Sequence, residues 1–263
     1  IVVGRDCREQ KEIDKAMIEA DGTDNKAKLG ANAILSVSMC AMKAAAEATE
    51  QPLYSYIYEL SHGKTRGNYL LPIPSANILN GGKHAGGNLA PQEFMIQAIG
   101  AKSFSQATQM TAEVYQTLKG VISKEYGATS INVGDEGGFA PALDKTREAL
   151  DLIMEAIEQT NYTPGLDIVL AMDPAAAEFY DAEAELYSID GKKLSPDEMV
   201  DFWENIINDY PIKSMEDPFD EDAFDEFAKL TKRERGKCQV IDDEHTTTNV
   251  KRLNKASKQG AEN

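Results

Sequence analysis

The sequence of 263 residues is poor in positive charge and in long apolar stretches. It contains 27 lysine and arginine residues against 44 aspartate and glutamate residues, a formal net charge of −17. This deficit argues against nucleic acid and against an anionic membrane surface as partners, because binding to either depends on lysine and arginine. No apolar run approaches the roughly 20 residues that span a bilayer, so the sequence predicts a soluble protein.

Cysteine is also scarce. Cys7, Cys40 and Cys238 are odd in number and have no metal-binding spacing, which predicts free thiols in a reducing cytoplasm. No signal peptide opens the chain. The chain begins with Ile1 instead of methionine and stops at Asn263 without a closing element, so we expect a segment that is incomplete at both ends.

The hydrophobic fraction of 42% is enough for a core, and its pattern predicts an α/β fold with a mostly parallel sheet. An alanine-rich helix is expected within residues 26–50, and the polar, glycine-bearing residues 61–67 suit a linker. Later helices are expected near 103–125, at 144–159 and after Ser195, where Ser195 and Glu198 form a capping box. The predicted strands are 70–79, 94–99, 130–133, 167–172, 212–215 and 239–241.

Acidic residues stand at the ends of several predicted strands. Asp173, Glu216 and Asp242 each follow a strand directly, and Glu136 follows the strand at 130–133. In a βα barrel the carboxyl ends of the strands form one face, where the chemistry occurs, and oxygen ligands suit Mg²⁺. The alternative is that each residue is a helix N-cap, a position that favours aspartate. Spacing leaves both interpretations open.

Glu93 departs from this pattern because it precedes its predicted strand. It could join the same face only if that strand ran antiparallel to the others, which spacing does not decide. Residues 81–87 form a glycine-rich loop containing His84, which is either a plain turn or a mobile lid that meets an anionic substrate. Residues 134–138 hold two carboxyls between glycines, so a backbone could approach a ligand closely there. His62 is expected to be exposed in the linker, and the sequence assigns no role to His245.

Several segments together are specific enough to identify a family: residues 21–35, 80–87, 92–96, 132–138, 214–219 and 242–243. In these segments, which follow the family order along nearly the whole chain, the sequence closely resembles the enolase family. The resemblance implies the helical remainder of a small α+β N-terminal domain in residues 1–68. An enolase-type βα barrel would follow in residues 69–263, with about six of its eight strands and with its second strand antiparallel. That direction would place Glu93 on the catalytic face.

The resemblance also implies an activity, the Mg²⁺-dependent reversible dehydration of 2-phosphoglycerate to phosphoenolpyruvate by a cytoplasmic homodimer. Two Mg²⁺ ions per active site are expected. Its site residues are implied with it. The metal ligands would be Asp173, Glu216 and Asp242; Glu136 would be the general acid with Glu93 beside it; and Gln92 and His84 would contact substrate together with Glu93.

Some parts of the family pattern are absent or altered. The base lysine, the phosphate-binding cluster and an N-terminal serine loop are not in this sequence, so we expect an active parent protein and an inert segment. The run after Asp242 is one residue longer than in the family and carries Glu244 and His245 in place of a hydrophobic residue. Pro174 is also unusual. The alternatives are another enolase-superfamily enzyme, such as an acid-sugar dehydratase or a racemase, and a non-catalytic enolase-fold structural or surface-binding protein.

Overall fold

A computed structural model describes residues 1–85 and 87–261 of the chain, with the backbone alone at His84. The chain forms two compact units, Ile1–Leu71 and Pro72–Asn263. Residues 63–73, which follow the last helix of the first unit and precede the first strand of the second, are exposed. The boundary predicted between residues 68 and 69 lies in this exposed segment and stays a prediction.

The first unit is helical. Its helices are α1 (Gln10–Asp21), α2 (Ala31–Ala48) and α3 (Leu53–His62). The predicted alanine-rich helix is therefore α2, whereas α1 was not predicted. α1 packs on α2 through Ile13, Met17 and Ile34, and a second buried cluster joins α2 to α3. His62 is exposed as predicted, although it ends α3 instead of lying in a linker, and its ring stacks on Tyr58.

The second unit contains eight strands and six α-helices among its described residues. The strands are β1 (Ser75–Asn80), β2 (Glu93–Gln97), β3 (Val169–Asp173), β4 (Tyr180–Asp181), β5 (Leu186–Ile189), β6 (Lys192–Leu194), β7 (Ile212–Glu216) and β8 (Gln239–Ile241). The helices are α4 (Gly82–Ala85), α5 (Phe104–Tyr126), α6 (Thr146–Gln159), α7 (Pro196–Asp209), α8 (Phe224–Arg233) and α9 (Val250–Gln259). None of the helices in residues 1–85 and 87–261 is long and apolar enough to cross a membrane.

Five of these strands form the main sheet, in the order β1-β2-β3-β7-β8. β2 runs antiparallel to both of its neighbours, whereas β3, β7 and β8 are parallel. The antiparallel second strand is therefore confirmed. Over the described residues the sheet is open, as expected for part of a barrel. β1 gains a further contact on its free side, where Asn80 N donates to Phe139 O at 2.8 Å.

The strand predicted at 130–133 is wrong, because Ala128–Ile131 form a 3₁₀ helix. The amide of Ser130 bonds back to Gly127 O at 3.1 Å, so the segment satisfies its backbone locally instead of joining a sheet. Phe139 makes the edge contact in its place, with its amide on Ile78 O at 3.0 Å. Glu136 consequently lies in a turn before that contact and not at the end of a sheet strand.

A small antiparallel sheet of β4, β5 and β6 was not predicted. Asp190 and Gly191 connect β5 to β6, and both have positive φ, 53° and 74°. Two left-handed residues in an Asp-Gly turn are typical of a type I′ hairpin. Tyr187 of β5 is fully buried, and its hydroxyl accepts the amide of Asp220 at 2.9 Å. The hairpin is thereby attached to the loop that follows β7.

One large hydrophobic core joins the main sheet to its helices. α7 begins where the capping box predicts, with Pro196 in its first turn and Ser195 N donating to the Glu198 carboxylate at 2.8 Å. Trp203 of α7 is fully buried and donates its indole N–H to Pro218 O at 2.8 Å. Cys7, Cys40 and Cys238 form no disulfide among the described residues.

Candidate active site

Four carboxylates lie at one end of the main sheet. Asp173 and Glu216 are the last residues of β3 and β7, and Asp242 directly follows β8. Glu93 is the first residue of β2 and not the residue before it, and it is paired across the sheet with Asp173. Because β2 is antiparallel, its beginning coincides with the ends of the parallel strands.

The backbone around Pro174 fixes the relation between β2 and β3. Pro174 has no amide to donate, but its carbonyl accepts the amide of Gln92 at 3.3 Å. The carboxylate of Asp173 accepts the amide of Ala175 at 2.9 Å. The unusual proline therefore leaves the Asp173 carboxylate at the strand end and ties the Gln92–Glu93 segment beside it.

Glu136 reaches the site from the turn at residues 134–138. Its Oε2 accepts the side-chain amides of Asn77 at 2.9 Å and Asn80 at 3.2 Å, and its carboxyl is hydrogen-bonded to Glu93. The turn approaches β1 so closely at Gly138 that an added Cβ would lie 2.8 Å from Leu79 N. A glycine is required there by the neighbouring backbone, and this close approach places Glu136 next to Glu93.

Burial and like charges disfavour ionisation in this cluster. Burial, the hydrogen bond with Glu136 and the charge of Asp173 raise the pKa of Glu93 to about 8. Burial and the charge of Glu216 raise the pKa of Asp173 to about 8, and burial followed by the charge of Asp217 raises the pKa of Glu216. Carboxyls that face one another in a partly dry site retain protons at neutral pH unless a cation replaces them.

The donor chemistry of the strand ends fits a hard divalent cation. Asp173, Glu216 and Asp242 offer only oxygen. Asp242 Oδ1 accepts the hydroxyl of Thr246 at 2.9 Å, whereas its Oδ2 is buried and has no hydrogen-bond partner among the described residues. In the described part of the chain, however, no group of three or more histidine, cysteine, aspartate or glutamate side chains stands ready to hold a metal. These residues therefore suit a divalent cation by their oxygen atoms and by their positions at the strand ends. Among the described residues they do not form a ready-made metal site.

The remaining predicted residues lie in or beside the glycine-rich segment. The backbone at His84 belongs to the short helix α4, and its side chain lies outside the described residues. Gln92 is held by its backbone, since its carbonyl accepts the amide of Gly81 at 2.9 Å. Lys83 forms an ion pair with Glu178. The segment is thus a helical turn in residues 82–85, where a plain turn or a lid was predicted.

Sequence reasoning missed three residues that organise the site. Asn77 and Asn80 orient Glu136, and the only signal for them was a pair of polar residues in an apolar strand. Asp217 is buried, and its carboxylate accepts the amides of Asp243 at 3.1 Å and Glu244 at 3.0 Å. It thereby joins the loop after β7 to the loop after β8.

An α/β sheet with one antiparallel strand and carboxylates at the ends of four adjacent strands defines a barrel-type protein with an acidic site on one face. The family model of the enolase C-terminal TIM barrel domain matches residues 68–263, and that of the enolase N-terminal domain matches residues 1–57. The chain belongs to the enolase family, which confirms the resemblance and the fold class.

Curated enolases from three archaea illustrate the similarity. Over 262 residues the chain is 48% identical to the enolase of Methanosarcina barkeri, 47% identical to that of Methanocaldococcus jannaschii and 45% identical to that of Thermococcus gammatolerans. Each match covers 100% of this chain and 59% or 60% of the relative. The chain thus spans about three fifths of the length of the curated relatives that it matches.

Proposed function

We propose that the full-length protein carrying this sequence is an enolase, a lyase of glycolysis and gluconeogenesis. It would reversibly dehydrate 2-phosphoglycerate to phosphoenolpyruvate. The observation that carries this proposal is the hydrogen-bonded pair Glu93–Glu136 beside the facing carboxyls of Asp173 and Glu216. Dehydration breaks the C–H bond next to the substrate carboxylate and the C–O bond on the following carbon. The arrangement offers a proton for the departing hydroxyl and ligands for a cation that would stabilise the charge left when the C–H proton is removed.

The Glu93–Glu136 pair is suited to general acid catalysis. The raised pKa of Glu93, about 8, keeps one proton between the two carboxyls at neutral pH. Glu136 is exposed, whereas Glu93 is half-buried behind it. Glu136 would deliver the proton to the departing hydroxyl, held in orientation by Asn77 and Asn80.

Asp173, Glu216 and Asp242 would hold Mg²⁺, with two ions expected per active site. Bound there, the metal would offset the negative charge that develops on the substrate carboxylate. The protein side chains contribute acceptor oxygens from three adjacent strands. Burial and like charges raise the pKa values of Asp173 and Glu216, and a bound cation would favour the ionised form of both side chains.

Gln92 and His84 would contact the substrate together with Glu93, since residues 81–92 lead from β1 to the acidic end of β2. A homodimer and a cytoplasmic location complete the proposal. Membership of the family supports both, and size-exclusion chromatography with light scattering would test the first.

A direct assay follows the ultraviolet absorbance of phosphoenolpyruvate formed from 2-phosphoglycerate by the full-length protein with Mg²⁺. Glu136→Gln should lower kcat by about 10²–10⁴, the usual contribution of a general acid. Asp173→Asn should weaken Mg²⁺ binding, and Glu158→Gln, at an exposed position of α6, is the matched control with unchanged rates. A folded protein that binds Mg²⁺ but converts only acid sugars would replace this proposal with another activity of the superfamily.

A further inference from the structure

We propose that His245 is a positioning residue that fixes residues 242–249, the loop after β8, and through it the Asp242 carboxylate. The inference rests on the proposed role of Asp242 in metal binding. His245 lies at the point where the sequence departs from the family run, and its side chain is fully buried.

Aromatic rings of α8 enclose the imidazole. The His245 ring stacks on Phe227 with centroids 4.3 Å apart, and it meets the ring of Phe224 at 3.9 Å with a tilt of 52°. Rings at these separations hold one another in a fixed orientation. Any aromatic side chain could fill this space, so packing alone does not explain a histidine.

The hydrogen bond of the imidazole does explain it. Nδ1 lies 2.8 Å from Glu221 O, and because a carbonyl only accepts, Nδ1 must carry the proton. Nε2 is buried and has no partner among the described residues, which agrees with a neutral ring in one tautomer. His245 therefore links the loop after β8 to the carbonyl of Glu221 in the loop after β7.

Arg252 closes the same link from α9. Its Nε donates to His245 O at 2.5 Å, and its Nη2 donates to Glu221 O, the carbonyl that also accepts Nδ1–H. Arg252 further pairs with Asp222 at 2.9 Å. Backbone and side chain of His245 are thus both held against the loop that follows β7.

The neighbour of His245 transmits this anchoring to Asp242. Thr246 donates its hydroxyl to Asp242 Oδ1 at 2.9 Å. Thr247 and Thr248 then adopt positive φ values of 46° and 56°, a backbone conformation that β-branched residues avoid. A loop with such backbone strain keeps its shape only if other contacts impose it. The buried contacts that do so are those of His245 and, at the start of the loop, those of the Asp217 carboxylate with the amides of Asp243 and Glu244.

The deciding experiment compares His245→Phe with His245→Asn in the metal-free full-length protein. Phenylalanine retains the ring contacts but loses the Nδ1–H donor, whereas asparagine places an amide donor close to the same point. Hydrogen exchange of the amides of Asp243, Glu244 and Thr247 should accelerate about tenfold in the phenylalanine variant and return toward the wild-type rate in the asparagine variant. Mg²⁺ titration by calorimetry should show a Kd raised about tenfold and a similar rescue.

Thr246→Val tests the last link. It should raise the Kd for Mg²⁺ by itself, and its effect should not add to that of His245→Phe if both act through the same contact.

Unchanged exchange and Kd in a folded His245→Phe protein would overturn the inference. If that variant does not fold, His245→Asn decides, since rapid exchange of the three amides in an otherwise folded protein would also overturn it. A wild-type protein that binds no Mg²⁺ would refute the proposed function, while the metal-free exchange data would still decide the role of His245 in the loop.

Discussion

Replacing Glu93 with glutamine should remove part of the pH dependence of the stability of the second unit. The glutamine amide imitates the protonated carboxyl, because it can still donate to Glu136, but it cannot ionise. In the metal-free protein Glu93 keeps its proton up to a pKa of about 8. The side chain at position 93 therefore stays uncharged until mildly alkaline pH in the wild type. In the glutamine variant it is uncharged at every pH.

The sign and size of the change in the free energy of unfolding with pH follow from proton linkage. The pKa of Glu93 is raised from 4.5 to about 8, so between these values the folded state binds more protons than the unfolded state. Stability is then lost as the pH rises toward and through 8. With these two pKa values, linkage predicts that Glu93 lowers the free energy of unfolding by about 2.7 kcal/mol between pH 6 and pH 9. Because Glu93 is only half-buried, screening by water reduces the expected loss to about half of that figure.

The assay is urea unfolding in EDTA at pH 6 and pH 9, followed by tryptophan fluorescence. The chain has one tryptophan, and Trp203 is buried in the core of the second unit. Wild type should lose about 1.3 kcal/mol more than Glu93→Gln over this interval. Glu158→Gln, on the exposed surface of α6, should behave as wild type does. Equal losses in wild type and Glu93→Gln would show that Glu93 does not hold the proton.

Two further changes, at the end of α8 and at the start of α7, test the helices of the second unit. Glu234 is fully buried and has an ion pair with Lys237 at 3.8 Å, and burial raises its pKa in spite of that lysine. Its ionisation costs stability as the pH rises, so Glu234→Gln should be more stable than wild type at pH 9, by about 1 kcal/mol in urea unfolding, and not at pH 5. Ser195→Ala removes the capping box of α7 and should lower the free energy of unfolding by about 1 kcal/mol, whereas Ser257→Ala, near the end of α9, should have little effect.

Local signals predicted the elements well where side chains act on their own backbone. The start of α7 follows from Ser195, Pro196 and Glu198, whose hydrogen bonds lie within one helical turn. The carboxylates at the ends of β3, β7 and β8 also follow from the pattern, because a buried strand ends where polar residues begin. The direction of β2 did not follow from any such pattern. It came only from the resemblance to the family.

Two parts of the fold were predicted wrongly or missed, for different reasons. In the first, the partner of a segment lies far along the chain. Residues 130–133 contain the β-branched pair of a strand, Ile131 and Val133, yet the edge of β1 is paired with Phe139 instead. Conversely, the β5–β6 hairpin could have been found, since Asp190-Gly191 lies between alternating residues and is a strong turn signal. The first error is tertiary and the second is an overlooked local cue.

The site likewise contains residues that the sequence pattern predicts and residues that it does not. Its charged ligands stand at strand ends, which are visible in sequence, but the groups that set their protonation and orientation come from elsewhere: Asn77 and Asn80 for Glu136, and His245 with Thr246 for Asp242. The role of an asparagine in a strand or of a histidine in a loop depends on the residues that the fold places beside it. Burial and the like charges of their neighbours raise the pKa values of the carboxyls at the strand ends, so supporting partners must hold these groups together against that repulsion. The supporting residues are therefore where substitutions should alter metal affinity while leaving the ligands themselves intact.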